Sequence, residues 1–139
     1  MNLKKAADPI VHNYSEVLMP DVKRILVVDD EDSLRQAVVE ELTAAGYEVE
    51  NVSNGMEAIT LIPLNYFDLV LLDISMPLVD GIEALKHIHK NSPNTKVIML
   101  TGEADLKHAL AAHHGGAVDY ITKPFSIDEI VPCVKRAIG

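Results

Sequence analysis

Three apolar runs end in a side chain capable of polar chemistry, Asp29-Asp30 after ILVV, Asp73 after LVLL and Thr101 after VIML, and a fourth, weaker segment, DYIT, is followed by Lys123-Pro124. Carboxylates gathered in one place repel, and two unit charges about 4 Å apart cost on the order of 4 kcal/mol at an effective dielectric near 20. A cation must accompany them. Mg²⁺ suits such a site because it takes hard oxygen ligands, keeps several waters and is held by one or two carboxylates plus phosphate oxygens. The Lys123 ammonium is a compact point charge suited to a phosphoryl oxygen, and the Thr101 hydroxyl can donate to another. One carboxylate is then left as nucleophile, since an aspartate can form an acyl phosphate by in-line attack on phosphorus. Asp73, on the central run, is the candidate.

That chemistry requires elements that bring the four places together. Ile25–Val28, Leu69–Leu72 and Val97–Leu100 are as long as strands buried on both faces of a parallel sheet. Weaker strands are expected at Tyr47 to Val52 and Val118 to Thr122, as the sheet edges. Leu34, Ala37, Val38, Leu42 and Ala45 recur at helical steps between a cap at Asp32 and Gly46. Gly55 to Ile62, halted by Pro63, supplies a second helix; Gly81 to Lys90 a third, Ala104 to His114 a fourth and Ser126 to Ile138 a fifth. Pro132, about six residues into the last of these, predicts a kink or a late start. Five βα units with right-handed crossovers give an α/β, doubly wound, flavodoxin-like three-layer sandwich with parallel strand order 2-1-3-4-5. Ligands of such sheets bind at the carboxyl edge where strand order reverses, which is where Asp29, Asp30 and Asp73 fall.

The segments ILVVDD (25–30), LVLLDISMPLVDG (69–81), VIMLTG (97–102) and DYITKPF (119–125) together resemble the receiver (CheY-like) domain of two-component response regulators, over about residues 23 to 138. The resemblance implies phosphorylation of Asp73 by a sensor histidine kinase or a phosphotransfer protein. It implies Mg²⁺ held by Asp29, Asp30, Asp73 and the backbone carbonyl of Ser75. Thr101 and Lys123 would contact the phosphoryl group, the Lys123-Pro124 peptide would be cis, and Tyr120 would be the aromatic switch partner of Thr101. The usual output face, made by the fourth helix, fifth strand and fifth helix, would meet a downstream effector protein or domain and is a candidate homodimer surface. The expected function is a phosphoryl-accepting signalling switch, not an enzyme with a diffusible substrate. A Mg²⁺-dependent phosphohydrolase of related topology is the first alternative, but such enzymes generally place an acid two residues after the nucleophile, where this chain has Ser75. A phosphorylation-independent interaction domain of the same fold is the second, and the intact set of site residues argues against it.

Composition narrows the rest. The 139 residues, 48% hydrophobic, suffice for one ordinary core, assigned here to residues 21–139 as the receiver domain. Residues 1–20 fit no element of the plan and are an extension of unassigned role, either a disordered arm or a short extra helix. A net charge of −9 disfavours direct nucleic-acid binding and anionic membranes. No apolar run approaches the roughly 20 residues that span a bilayer, and none near the start reads as a signal peptide, so a cytoplasmic protein is expected. Cys133 reads as a small buried hydrophobe, the six histidines lack helical zinc-pair spacing, and Gly115-Gly116 reads as a helix end. No effector domain follows the fifth helix, so a stand-alone regulator or part of a longer one is expected.

Overall fold

The computed structural model of the protein describes residues 22–74, 81–102 and 116–139. Strands β1 (Arg24–Val28), β2 (Glu48–Val52), β3 (Leu69–Asp73), β4 (Lys96–Gly102) and β5 (Asp119–Lys123) form one parallel sheet in the order β2-β1-β3-β4-β5. Helices α1 (Asp32–Ala44), α2 (Gly55–Leu61), α3 (Gly81–Asn91) and α4 (Ile130–Ile138) cover it. The expected fourth helix at 104–114, Ser75 and the 1–20 extension lie outside the described residues, so α4 here is the fifth helix of the sequence reading.

Alternation along the buried strands divides the core into two layers. Leu26, Val28, Val70, Leu72, Val97 and Met99 face one way, toward Ala58, Phe67, Leu85 and Ile88. Ile25, Val27, Leu69, Leu71, Ile98 and Leu100 face the other, toward Val38, Leu42, Ile130 and Val134. The three apolar runs are thus buried on both sides, as a central parallel strand requires. The sheet edges are more exposed, and there the expected bounds shift: β2 begins at Glu48, with Tyr47 buried just ahead of it, and β5 runs one residue later than expected.

Helix starts also differ from expectation. Asp32 is the first residue of α1, and Glu31 occupies the cap position without a side-chain bond. A carboxylate inside the first turn still favours the helix dipole, and Asp32 pairs there with Arg35 at 2.8 Å. Helix α2 is capped by Asn54, whose side-chain Oδ1 accepts from the Glu57 N–H at 2.9 Å. Pro63 does not stop the chain's winding outright; it sits in a 3₁₀ turn, Ile62–Leu64, that continues α2. Pro132 gives the late start: a 3₁₀ turn at Ile127–Glu129, closed by a Ser126/Glu129 capping box, precedes α4, and Pro132 then falls in the first turn, where its missing N–H costs nothing. No helix among the described residues is long and apolar enough to cross a membrane.

Candidate functional site

The carboxyl ends of β1 and β3 are adjacent because the register pairs Val28 with Leu72. The residues that follow are Asp29 and Asp73, and with Asp30 they offer carboxylate oxygens all within 4.8 Å of one another. Asp29 and Asp73 are buried, 1% and 3% exposed, whereas Asp30 is open to solvent. From the far side of the sheet edge Lys123 reaches in, its Nζ 3.1 Å from Asp29 Oδ2 and 3.3 Å from Asp73 Oδ2. Burial acts to pull the Lys123 pKa down, but the charges and hydrogen bonds of Asp73 and Asp29 outweigh it, and the net shift is upward. The ammonium therefore stays charged and offsets one of three carboxylates. Two further negative charges remain, and the donor set of hard oxygens, two buried and one reachable by water, fits Mg²⁺.

Local hydrogen bonds fix this geometry. Asp29 Oδ1 accepts from the Glu31 N–H at 2.9 Å, and the Asp29 N–H donates to the Val52 carbonyl at 3.3 Å. Arg35 donates to the Asp29 carbonyl oxygen and to Asn51 Oδ1, both at 2.9 Å, so one guanidinium ties α1, β2 and the acidic loop together. On the other side the Ile74 N–H donates to the Leu100 carbonyl at 3.1 Å, and the Gly81 N–H to the Ile74 carbonyl at 3.3 Å. Gly81 starts α3 directly against the residue after Asp73, and the segment 75–80 between them, which contains Ser75, lies outside the described residues.

Thr101 is 2% exposed, one residue beyond Leu100, the strand partner of Asp73, and its hydroxyl donates to the Gly102 carbonyl at 3.2 Å. Tyr120 is half exposed; it pairs with Met99 while Thr101 pairs with Thr122, so Thr101 and Tyr120 share one face of the sheet. The Lys123-Pro124 peptide is cis. Asp29, Asp30, Asp73 and Lys123 are thus joined in one cluster, with Thr101 on the neighbouring strand. Arg35 carries no role in the sequence analysis, and Gly81 enters it as the start of the third helix and the end of the LVLLDISMPLVDG segment, without its close approach to Ile74. The i, i+3 spacing of Asp32 and Arg35 was a signal for a helical pair, but not for the reach to Asn51 and Asp29.

Comparison with known proteins decides the family. The model of the response regulator receiver domain matches residues 25–135. The chain belongs to that family. Regulatory protein AtoC of Escherichia coli K12 is 40% identical over 120 residues, covering 86% of this chain and 26% of that protein. The DNA-binding transcriptional regulator NtrC of the same organism is 40% identical over 115 residues, covering 83% and 24%. The chain therefore spans about a quarter of the length of these curated relatives. Among solved structures, the receiver domain of NtrX from Brucella abortus superposes with a TM-score of 0.77 at 34% identity, covering 82% of this chain and 97% of that one. A CheY-like receiver domain protein from Methanospirillum hungatei JF-1 gives 0.81 at 35% identity, covering 84% and 94%. This receiver domain accordingly has the family's fold, in the same 2-1-3-4-5 strand order that the sequence predicts.

Proposed function

We propose that residues 21–139 form a phosphoryl-accepting switch in which Asp73 is the phosphoacceptor and Asp29, Asp30, Asp73 and the Ser75 carbonyl hold Mg²⁺. The observation that carries this reading is the cluster of three carboxylates within 4.8 Å, with the Lys123 ammonium 3.3 Å from Asp73. Bound Mg²⁺ supplies charge neutralisation of the phosphoryl oxygens during transfer. A carboxylate oxygen of Asp73 forms the new P–O bond while the P–N bond of a phosphohistidine on a sensor kinase or phosphotransfer protein breaks. The imidazole leaves and is protonated. Lys123 neutralises one equatorial oxygen and Thr101 hydrogen-bonds another. Loss of the group returns phosphate to water, so the chemistry is confined to the domain's own side chain.

Phosphorylation adds roughly 1.5 to 2 negative charges and three acceptor oxygens. Such a group would draw the Thr101 hydroxyl away from the Gly102 carbonyl, and Tyr120, on the same sheet face, would turn into the space released. The face around β5 and α4 would then change shape for an effector or a second copy. The setting is cytoplasmic, where the kinase and its nucleotide are found. If Tyr120 keeps one rotamer with and without a phosphoryl mimic, this part of the account fails.

Incubation with acetyl phosphate and Mg²⁺, followed by intact mass and by phosphate-release kinetics, tests the assignment. The expected result is a gain of one phosphoryl group per chain, absent from Asp73→Asn, with no sustained turnover of small phosphomonoesters. Multiple turnover at ordinary enzyme rates would instead make the domain a phosphohydrolase. An unmodified chain would make it a phosphorylation-independent interaction domain.

A further inference from the structure

A cavity adjoins the acidic edge through Lys123. Glu31, Leu34, Lys123, Pro124 and Phe125 line it, and its volume of about 390 Å³ is that of a small-ligand pocket. Leu34 and Phe125 pack on the core layer that α1 and α4 share with the sheet, so the apolar walls are anchored. The two charged members of the lining have opposite signs. Lys123 is partly buried, with its Nζ 3.3 Å from Asp73 Oδ2, whereas Glu31 is exposed.

Glu31 occupies the cap position of α1, where a side chain ordinarily turns back to accept from an N–H of the first turn. Its carboxylate makes no such bond, and it has no hydrogen bond or ion pair with another described residue. The backbone beneath it is fixed at both ends. The Glu31 N–H donates to Asp29 Oδ1 at 2.9 Å, and the Glu31 carbonyl accepts from the Arg35 N–H at 2.9 Å. An uncommitted carboxylate is thus carried on a rigid turn beside the reacting edge.

A phosphoryl donor has two parts, the group that is transferred and the group that leaves. Lys123 meets the first. The rest of the cavity suits a leaving group with apolar faces that slide between Leu34, Pro124 and Phe125 and with an N–H for the Glu31 carboxylate to accept. An imidazole ring has both properties. Acetate has neither, and as an anion it meets the like charge of Glu31.

We infer that this cavity receives the departing imidazole of a phosphohistidine donor, with Glu31 accepting a hydrogen bond from the ring nitrogen distal to phosphorus. The inference rests on the reading of Asp73 as phosphoacceptor and names the residue that sets donor preference at that site. A carboxylate beside the distal nitrogen favours the protonated ring, which is the better leaving group. As the Asp73 oxygen bonds to phosphorus, the electron pair of the breaking P–N bond returns to the ring. The ring then departs with the proton it already carried on the distal nitrogen, and Glu31 neither gains nor loses one.

The test compares rates of Mg²⁺-dependent phosphorylation from N-phosphoimidazole and from acetyl phosphate, followed by intact mass, in wild type and Glu31→Gln. The ratio of the phosphoimidazole rate to the acetyl phosphate rate is expected to fall about tenfold in the variant, the usual worth of one hydrogen bond to a charged group. A purely structural role for Glu31 would slow both donors alike and leave the ratio where it was. A ratio that stays or rises therefore overturns the inference while leaving Asp73 as phosphoacceptor. A wild-type chain that accepts a phosphoryl group from neither donor overturns both readings together.

Discussion

Gly81 lies so close to Ile74 that a β-carbon built on it would overlap the Ile74 α-carbon and stand 2.5 Å from the Asp73 carbonyl oxygen. The obstacle is backbone, which cannot swing aside, so α3 can start at this point only on a residue without a side chain. Gly81→Ala is expected to displace the Ile74–Gly81 contact and destabilise the domain by about 1 to 3 kcal/mol, the usual cost of overpacking. Urea denaturation checks the stability. Phosphorylation by acetyl phosphate should slow in the same variant, because the strained residues adjoin Asp73.

Arg35 holds the Asp29 carbonyl from a different element, and its side chain is only 11% exposed. Arg35→Met should loosen the acidic loop without emptying the core. Mg²⁺ affinity, measured by calorimetry, is expected to fall by about tenfold, in the range typical for groups that orient metal ligands. Unchanged affinity would show that the loop is held without it.

Lys123 has a pKa raised above its ordinary value: burial works against the charged form, and the Asp73 and Asp29 carboxylates more than compensate. A raised pKa contributes stability that is fully present below the unfolded value, about 10.4, and is lost as pH rises through the folded one. Lys123→Met should therefore be less stable than wild type by a margin constant from about pH 6 to about pH 9. The margin should narrow above about pH 10.4. Without the ammonium the carboxylates repel more strongly, so added Mg²⁺ should raise the urea midpoint of Lys123→Met more than that of wild type.

Cys133 is buried with its Sγ 3.4 Å from Asp119 Oδ2. Desolvation first, and the Asp119 charge second, push the thiol up to about 11. Native-state alkylation near pH 8 should be at least about a hundredfold slower than in urea, since the folded pKa of about 11 lies roughly 2.5 units above the unfolded value of about 8.5 and burial adds to the difference. The stability linked to this group is present below the unfolded pKa of about 8.5 and lost as pH rises toward 11.

The layout of the domain was legible because its central strands are buried on both faces, a condition that only uninterrupted runs such as Leu69–Leu72 satisfy. The edges were less so. In β2, Val49 packs into one core layer and Val52 into the other, so neither period nor face fixes the boundary, and Tyr47 is buried while lying outside the strand. Asp32 had the composition of a cap, but its carboxylate turns to Arg35 instead. The meeting of Asp29, Asp30, Asp73 and Lys123 could be read from topology, because all stand at or just past the carboxyl ends of strands of one parallel sheet. The reach of Arg35 could not, since a long side chain crossing from α1 to Asn51 leaves no periodic trace.

Reductive trapping gives the most direct test of the switch. After incubation with acetyl phosphate, borohydride reduces an aspartyl phosphate to homoserine, and peptide sequencing by mass spectrometry then locates it. The predicted result is conversion at position 73 alone, dependent on Mg²⁺ and strongly reduced when Asp29 and Asp30 are both changed to asparagine. Conversion at another residue, or conversion at 73 that is indifferent to both Mg²⁺ and those two carboxylates, would contradict it.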